Sequence, residues 1–83
     1  MEQLLREMGY KLRPECRKGL IKEYIKGQHF PNKWIVVKDG RIIDRFINNG
    51  HIGMEIHDQE VLDYINQCWK ELLADVEALG GMK

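Results

Sequence analysis

Asp39-Gly40 stands between two runs of β-favouring residues, Trp34-Ile35-Val36-Val37 and Ile42-Ile43. Both central positions of a tight type I′ turn need a positive φ, and Asp-Gly provides this at low steric cost. The chain is therefore expected to reverse here as an antiparallel pair, around which the remainder must pack. A two-residue turn sets Val37 opposite Ile42, Val36 opposite Ile43, Ile35 opposite Asp44 and Trp34 opposite Arg45; a three-residue turn would slip the register, swap the faces and pair Trp34 with Phe46 instead. A second turn signal, Asn48-Asn49-Gly50, follows Phe46-Ile47. Beyond it His51-Ile52-Gly53-Met54-Glu55-Ile56 alternates with period two, the pattern of a third strand.

The flanking segments read as helices. Residues 2–8 place Leu4, Leu5 and Met8 on one side, and Gly9 is a natural stop. Pro14 suits the first turn of a second helix running to Lys26 and capped by Gly27. In that helix Cys16, Leu20, Ile21, Tyr24 and Ile25 share about half the circumference, and Lys18, Lys22 and Lys26 line the opposite side at i, i+4, i+8. Asp58 is a helix-capping residue type. After it Val61, Leu62, Ile65, Cys68, Trp69, Leu72, Val76 and Leu79 form an apolar stripe about 120° wide, ended by Gly80-Gly81. The expectation is a single α+β domain over residues 1–83: two N-terminal helices, a three-stranded antiparallel meander and a long C-terminal amphipathic helix, in the order α-α-β-β-β-α.

Side chains alternate across a strand, so the assumed register sorts the hairpin into two faces. Ile35, Val37, Ile42 and Phe46 make an apolar face for the helices. Trp34, Val36, Lys38, Arg41, Ile43 and Arg45 make an outer face, with an apolar centre and a cationic rim. Tryptophan and arginine dominate the energetics of protein interfaces, so these residues are the candidate partner-binding surface.

Charge is unevenly placed along the 83 residues. Residues 1–45 hold 11 of the 13 Lys+Arg and 6 of the 13 Asp+Glu, a net +5. Residues 46–83 hold 2 basic and 7 acidic residues, a net −5, so the formal zero hides a polarised molecule. The split fits either an anion-binding face or two halves that attract on folding. The nucleic-acid alternative uses Lys18, Lys22, Lys26, Lys38, Arg41 and Arg45 against phosphate, with Trp34 for stacking. In topology, α-β-β-β-α resembles the double-stranded-RNA-binding domain. That family presents a lysine-rich start on its last helix, where this chain has Asp58-Gln59-Glu60. A three-stranded sheet followed by a helix also resembles the arm-site DNA-binding modules of phage-type integrases. That resemblance implies DNA contact through the sheet by Lys38, Arg41 and Arg45.

Catalytic chemistry has no evident home. His29, His51 and His57 lack metal-ligand spacing on any one element. Cys16 and Cys68 fall on apolar stripes, where a thiol packs rather than reacts. The glycines occur as turn and cap residues, with no phosphate-cradling loop. No catalytic, cofactor or metal site is expected, and the chain is read as no enzyme. The start, Met1-Glu2-Gln3-Leu4-Leu5-Arg6-Glu7, breaks its apolar run with charge, unlike a secretion signal. No run approaches the roughly 20 apolar residues of a membrane span. The expectation is therefore a cytoplasmic binding or regulatory protein acting by protein–protein contact, an inhibitor, adaptor or antitoxin-like accessory protein of the size common in phages and mobile elements. The alternative is a small DNA- or RNA-binding regulator. A long final helix on a small sheet also predicts an overhanging apolar end at Leu73, Val76 and Leu79, suited to a symmetric dimer.

Overall fold

The computed structural model describes residues 1–48 and 59–82. Helix α1 spans Glu2–Glu7, strand β1 Lys11–Leu12, a 3-10 turn Pro14–Cys16, strand β2 Ile21–Lys26, strand β3 Asn32–Lys38, strand β4 Arg41–Asn48 and helix α2 Gln59–Ala78. The fold is α+β. The strands form one antiparallel sheet in the order β1-β2-β3-β4, and α2 packs on β3 and β4. The third strand expected over residues 51–56 and the Asp58 cap lie outside the described residues.

Helix α1 ends where the glycine predicts. Gly9 adopts φ 95°, and the Gly9 and Tyr10 amides return to the carbonyls of Arg6 and Leu5 at 3.0 and 2.9 Å. These bonds use carbonyl groups that the end of a helix leaves open. The reversal drops Leu5 and Tyr10 into the core. At the hairpin, Asp39 and Gly40 both have positive φ, 52° and 73°, as a type I′ turn requires.

The second N-terminal helix is not present. Pro14 opens a single 3-10 turn, and residues 21–26 form β2, paired along its length with β3 from Ile21↔Lys38 to Lys26↔Lys33. The segment is short enough to fit either periodicity, and such runs are arbitrated by tertiary partners. As a strand it buries Tyr24 and satisfies its backbone against β3, the longer β-branched run beside it. Leu20, which the helical reading placed on the apolar stripe, is 78% exposed. Lys22 and Lys26 lie on the same side of β2 as Tyr24, whereas Lys18 belongs to the preceding turn. The expected lysine stripe is therefore broken up.

The core lies between the sheet and the helices. It comprises Leu5, Tyr10, Tyr24, Ile35, Val37, Ile42, Ile47, Cys68, Leu72, Val76 and Leu79. Polar contacts from Tyr10 and Lys33 help fasten α2 to the rest. The buried Tyr10 hydroxyl donates to Asp75 Oδ2 at 2.8 Å, and burial, then this bond, push the phenol pKa upward. Lys33 Nζ meets Glu71 Oε2 at 2.6 Å. Val76 and Leu79 are only 5% and 8% exposed, which removes them from the expected dimer contact. The last turns of α2 join the same cluster as Leu5 and Ile42 instead of overhanging. Leu73 points outward at 46% exposure. At the other end of α2, Val61 and Leu62 are exposed.

Candidate protein-binding face

The outer face is built by a β-bulge. β3 and β4 pair Lys38↔Arg41 and Val37↔Ile42 as the two-residue turn dictates, and then the register shifts between Val36 and Val37. Past the shift Val36 lies opposite Asp44, Ile35 opposite Arg45 and Trp34 opposite Phe46. The reason is visible in the spacing of the buried residues. Ile42 and Ile47 both enter the core, but they are an odd number of residues apart, so strict alternation would put them on opposite faces. One extra residue in β4 reconciles them.

The shift corrects two expectations. Phe46 leaves the helix-facing side and joins Trp34. Arg45 leaves the outer set for the side of Ile35, where it is half-buried. Trp34, Val36, Lys38 and Arg41 lie on the face turned from α2, by direct register with one another's partners. Ile43, the residue at the bulge, is 44% exposed and lines an open depression of about 450 Å³ with Lys38, Asp39 and Arg41.

Register across three strands arranges this face in rows. Ile25, Trp34 and Phe46 form one, Glu23, Val36 and Asp44 the next, and Ile21, Lys38 and Arg41 the third. In the first row the Trp34 and Phe46 rings stack with centroids 5.2 Å apart and an interplanar angle of 23°. The Arg13 guanidinium lies 5.1 Å from the Trp34 ring, a cation–π distance. Arg13 is itself held by Glu23 at 3.0 Å and Glu15 at 3.3 Å. Cys16 Sγ donates to Glu23 at 3.4 Å, and Trp34 Nε1 donates to Asn32 Oδ1 at 2.7 Å. The indole is thus half-buried, fixed in orientation, and among the described residues covered by Arg13 rather than by a helix.

The rest of the outer face is less occupied. Lys38 and Arg41 form no ion pair among the described residues, and Asp44 accepts the backbone N–H of Arg45 at 2.8 Å. Sequence reasoning missed Arg13 and Ile25, and reached Phe46 beside Trp34 only through the slipped register of a three-residue turn, not through a bulge. The odd spacing of Ile42 and Ile47 is the one sequence signal of the bulge, and it becomes readable only once both are known to be core. Nothing local marks Arg13 as a partner of Trp34.

The six cations of the nucleic-acid alternative do not form a track. Lys38 and Arg41 sit at the hairpin end of the outer face, Arg45 is on the side of Ile35, Lys22 and Lys26 are on the side of Tyr24, and Lys18 lies in the connecting turn. Lys26 Nζ is 5.8 Å from the Tyr10 ring centroid. Cys16 and Cys68 are free thiols, half-buried and buried. Among the described residues no group of three or more His, Cys, Asp or Glu is placed to hold a metal ion, and no helix is long and apolar enough to cross a membrane.

No protein-family model, curated protein or solved structure matches the chain.

Proposed function

We propose that the chain is a non-enzymatic, intracellular docking protein whose open sheet face receives a segment of another protein. The observation that carries this reading is the Trp34–Phe46 stack, fixed from one side by Arg13 and flanked by exposed Ile43 with the cations Lys38 and Arg41, which form no ion pair among the described residues. A rigid aromatic anchor loses little conformational freedom on binding, and an apolar centre with a charged rim is the usual anatomy of an interface. The cations Lys38 and Arg41 beside exposed Ile43 support a partner segment with aliphatic or aromatic side chains next to carboxylates. Free thiols suit a reducing compartment.

The test is selection of peptides from a displayed random library against the folded protein. Enrichment of sequences pairing apolar side chains with Asp or Glu is expected. Arg41→Glu and Ile43→Asp, both at exposed positions, should abolish capture while leaving the circular dichroism spectrum unchanged. Absence of enrichment, or capture indifferent to both substitutions, overturns the reading.

A further inference from the structure

Among the described residues, few ion pairs join the positive half of the chain to the negative half. Of the four ion pairs among the described residues, three lie within the first 45 residues and only Lys33–Glu71 crosses to α2. The remaining cations have to be accommodated elsewhere, and several converge on one place. An open cleft of about 580 Å³ lies at the β1 side of the sheet, lined by Glu2, Arg6, Tyr10, Leu12, Arg17 and Lys22, with Gly9 and Lys11 completing it. Arg6 is held by Glu2 at 3.0 Å. Lys11, Arg17 and Lys22 have no ion-pair partner among the described residues. Arg6, Arg17 and Lys22 against Glu2 give a net +2, and Lys11, which by its pairing with Ile25 belongs to the other side of the sheet, borders the cleft at the strand edge.

The geometry points to this cleft as a binding site for a small polyphosphate, a ligand with two or three linked phosphate groups. Unpaired cations in one concavity repel each other, and a ligand of matching negative charge removes that cost while gaining charge-assisted hydrogen bonds. Guanidinium groups at Arg6 and Arg17 offer forked donors for phosphate, and Lys22 adds a mobile point charge. Leu12 and the buried Tyr10 supply an apolar floor; the Tyr10 hydroxyl is committed to Asp75. The volume lies within the usual small-molecule range of about 300–1,000 Å³. Among the cations that form no ion pair with a described residue, Lys38 and Arg41 sit at the hairpin on the outer face, Arg45 on the side of Ile35 and Lys18 in the turn beside Arg17, so they do not line up as a track running from the cleft, and a bounded ligand is favoured over a polymer. The site is separate from the proposed docking face, and each stands or falls alone.

Titration calorimetry with sodium tripolyphosphate at low salt tests it. Saturable one-to-one binding is expected, weakening as salt is raised. Arg17→Glu with Lys22→Glu should weaken it by more than about tenfold, the scale set by losing charge-assisted contacts. Arg17→Gln alone should produce a smaller loss in a protein with an unchanged dichroism spectrum. Lys38→Glu with Arg41→Glu should leave the affinity unaltered. Binding that does not saturate, or that is indifferent to the Arg17 and Lys22 changes, overturns the proposal. So does single-stranded oligonucleotide binding that grows with length and displaces tripolyphosphate, which assigns the cleft to a nucleic-acid surface instead.

Discussion

Strand β3 supplies both faces of the sheet, and its neighbouring residues meet different fates. Ile35 and Val37 are buried under the helices, whereas Trp34 and Val36 are half-covered and Lys38 is exposed. On the inner face each apolar group finds partners from distant parts of the chain, Leu5, Leu72, Val76 and Leu79 among them. On the outer face the principal contacts come from the sheet itself and the turn before it: Phe46 beside Trp34, and Arg13 over the indole. The inner face therefore holds the fold together, while the outer face has its side chains positioned without being sealed by any of the described residues. Substitution of exposed residues there is expected to cost little stability.

Substitutions that treat the two faces unequally put this contrast at risk. Leu72→Ala, at a fully buried position of α2, should cost about 2–5 kcal/mol, the range for large-to-small changes in a core. Urea denaturation measures it, and a loss under about 1 kcal/mol means that α2 is not seated on the sheet as described. Tyr10→Phe removes the hydroxyl that Asp75 accepts and leaves a half-buried carboxylate short of a donor, for about 1–3 kcal/mol. A double-mutant cycle with Asp75→Asn separates the pair from its surroundings, and additivity of the two changes denies the coupling. Ile43→Ser on the outer face should move the same midpoint by no more than about 0.5 kcal/mol. A loss comparable to Leu72→Ala would place Ile43 in a core and erase the difference between the faces.

The smallest effect concerns the shape of the pH dependence. The hydrogen bond from Lys33, then that from Gln67, holds the Glu71 carboxyl below its ordinary 4.5. A carboxyl with a depressed folded-state pKa contributes stability that is complete above its unfolded value and is lost as pH falls through the folded one. Lys33→Met should accordingly flatten the loss of stability below pH 4.5, seen as converging acid limbs in midpoint-against-pH curves for the variant and the parent. Parallel limbs show that the contact does not persist in solution.

Some of this architecture could be read from local residues. Asp39-Gly40 forms its turn because few dipeptides tolerate two positive φ angles in succession. Gly9 ends α1 for a related reason. The stripe from Ile65 to Leu79 makes α2 because its period is sustained for several turns, long enough to exclude a strand. Residues 21–26 were not legible in this way, since Ile21, Tyr24 and Ile25 satisfy a helical spacing as well as a strand. Of the outer set, Trp34, Val36, Lys38, Arg41 and Ile43 followed from the hairpin, but the exchange of Arg45 for Phe46 did not. A bulge leaves no composition signature, and it shifts every residue beyond it.

By itself, then, the sequence determined where the chain turns, where its first helix stops and which stripe its last helix buries, because each depends on backbone sterics or on a period repeated over many residues. Only the tertiary structure decided that residues 21–26 pair as β2, that β4 carries an extra residue so that Ile42 and Ile47 both reach the core, and that Arg13 lies over Trp34. Each of these outcomes rests on burial and hydrogen bonding against a partner distant in sequence, whose contribution no local window contains.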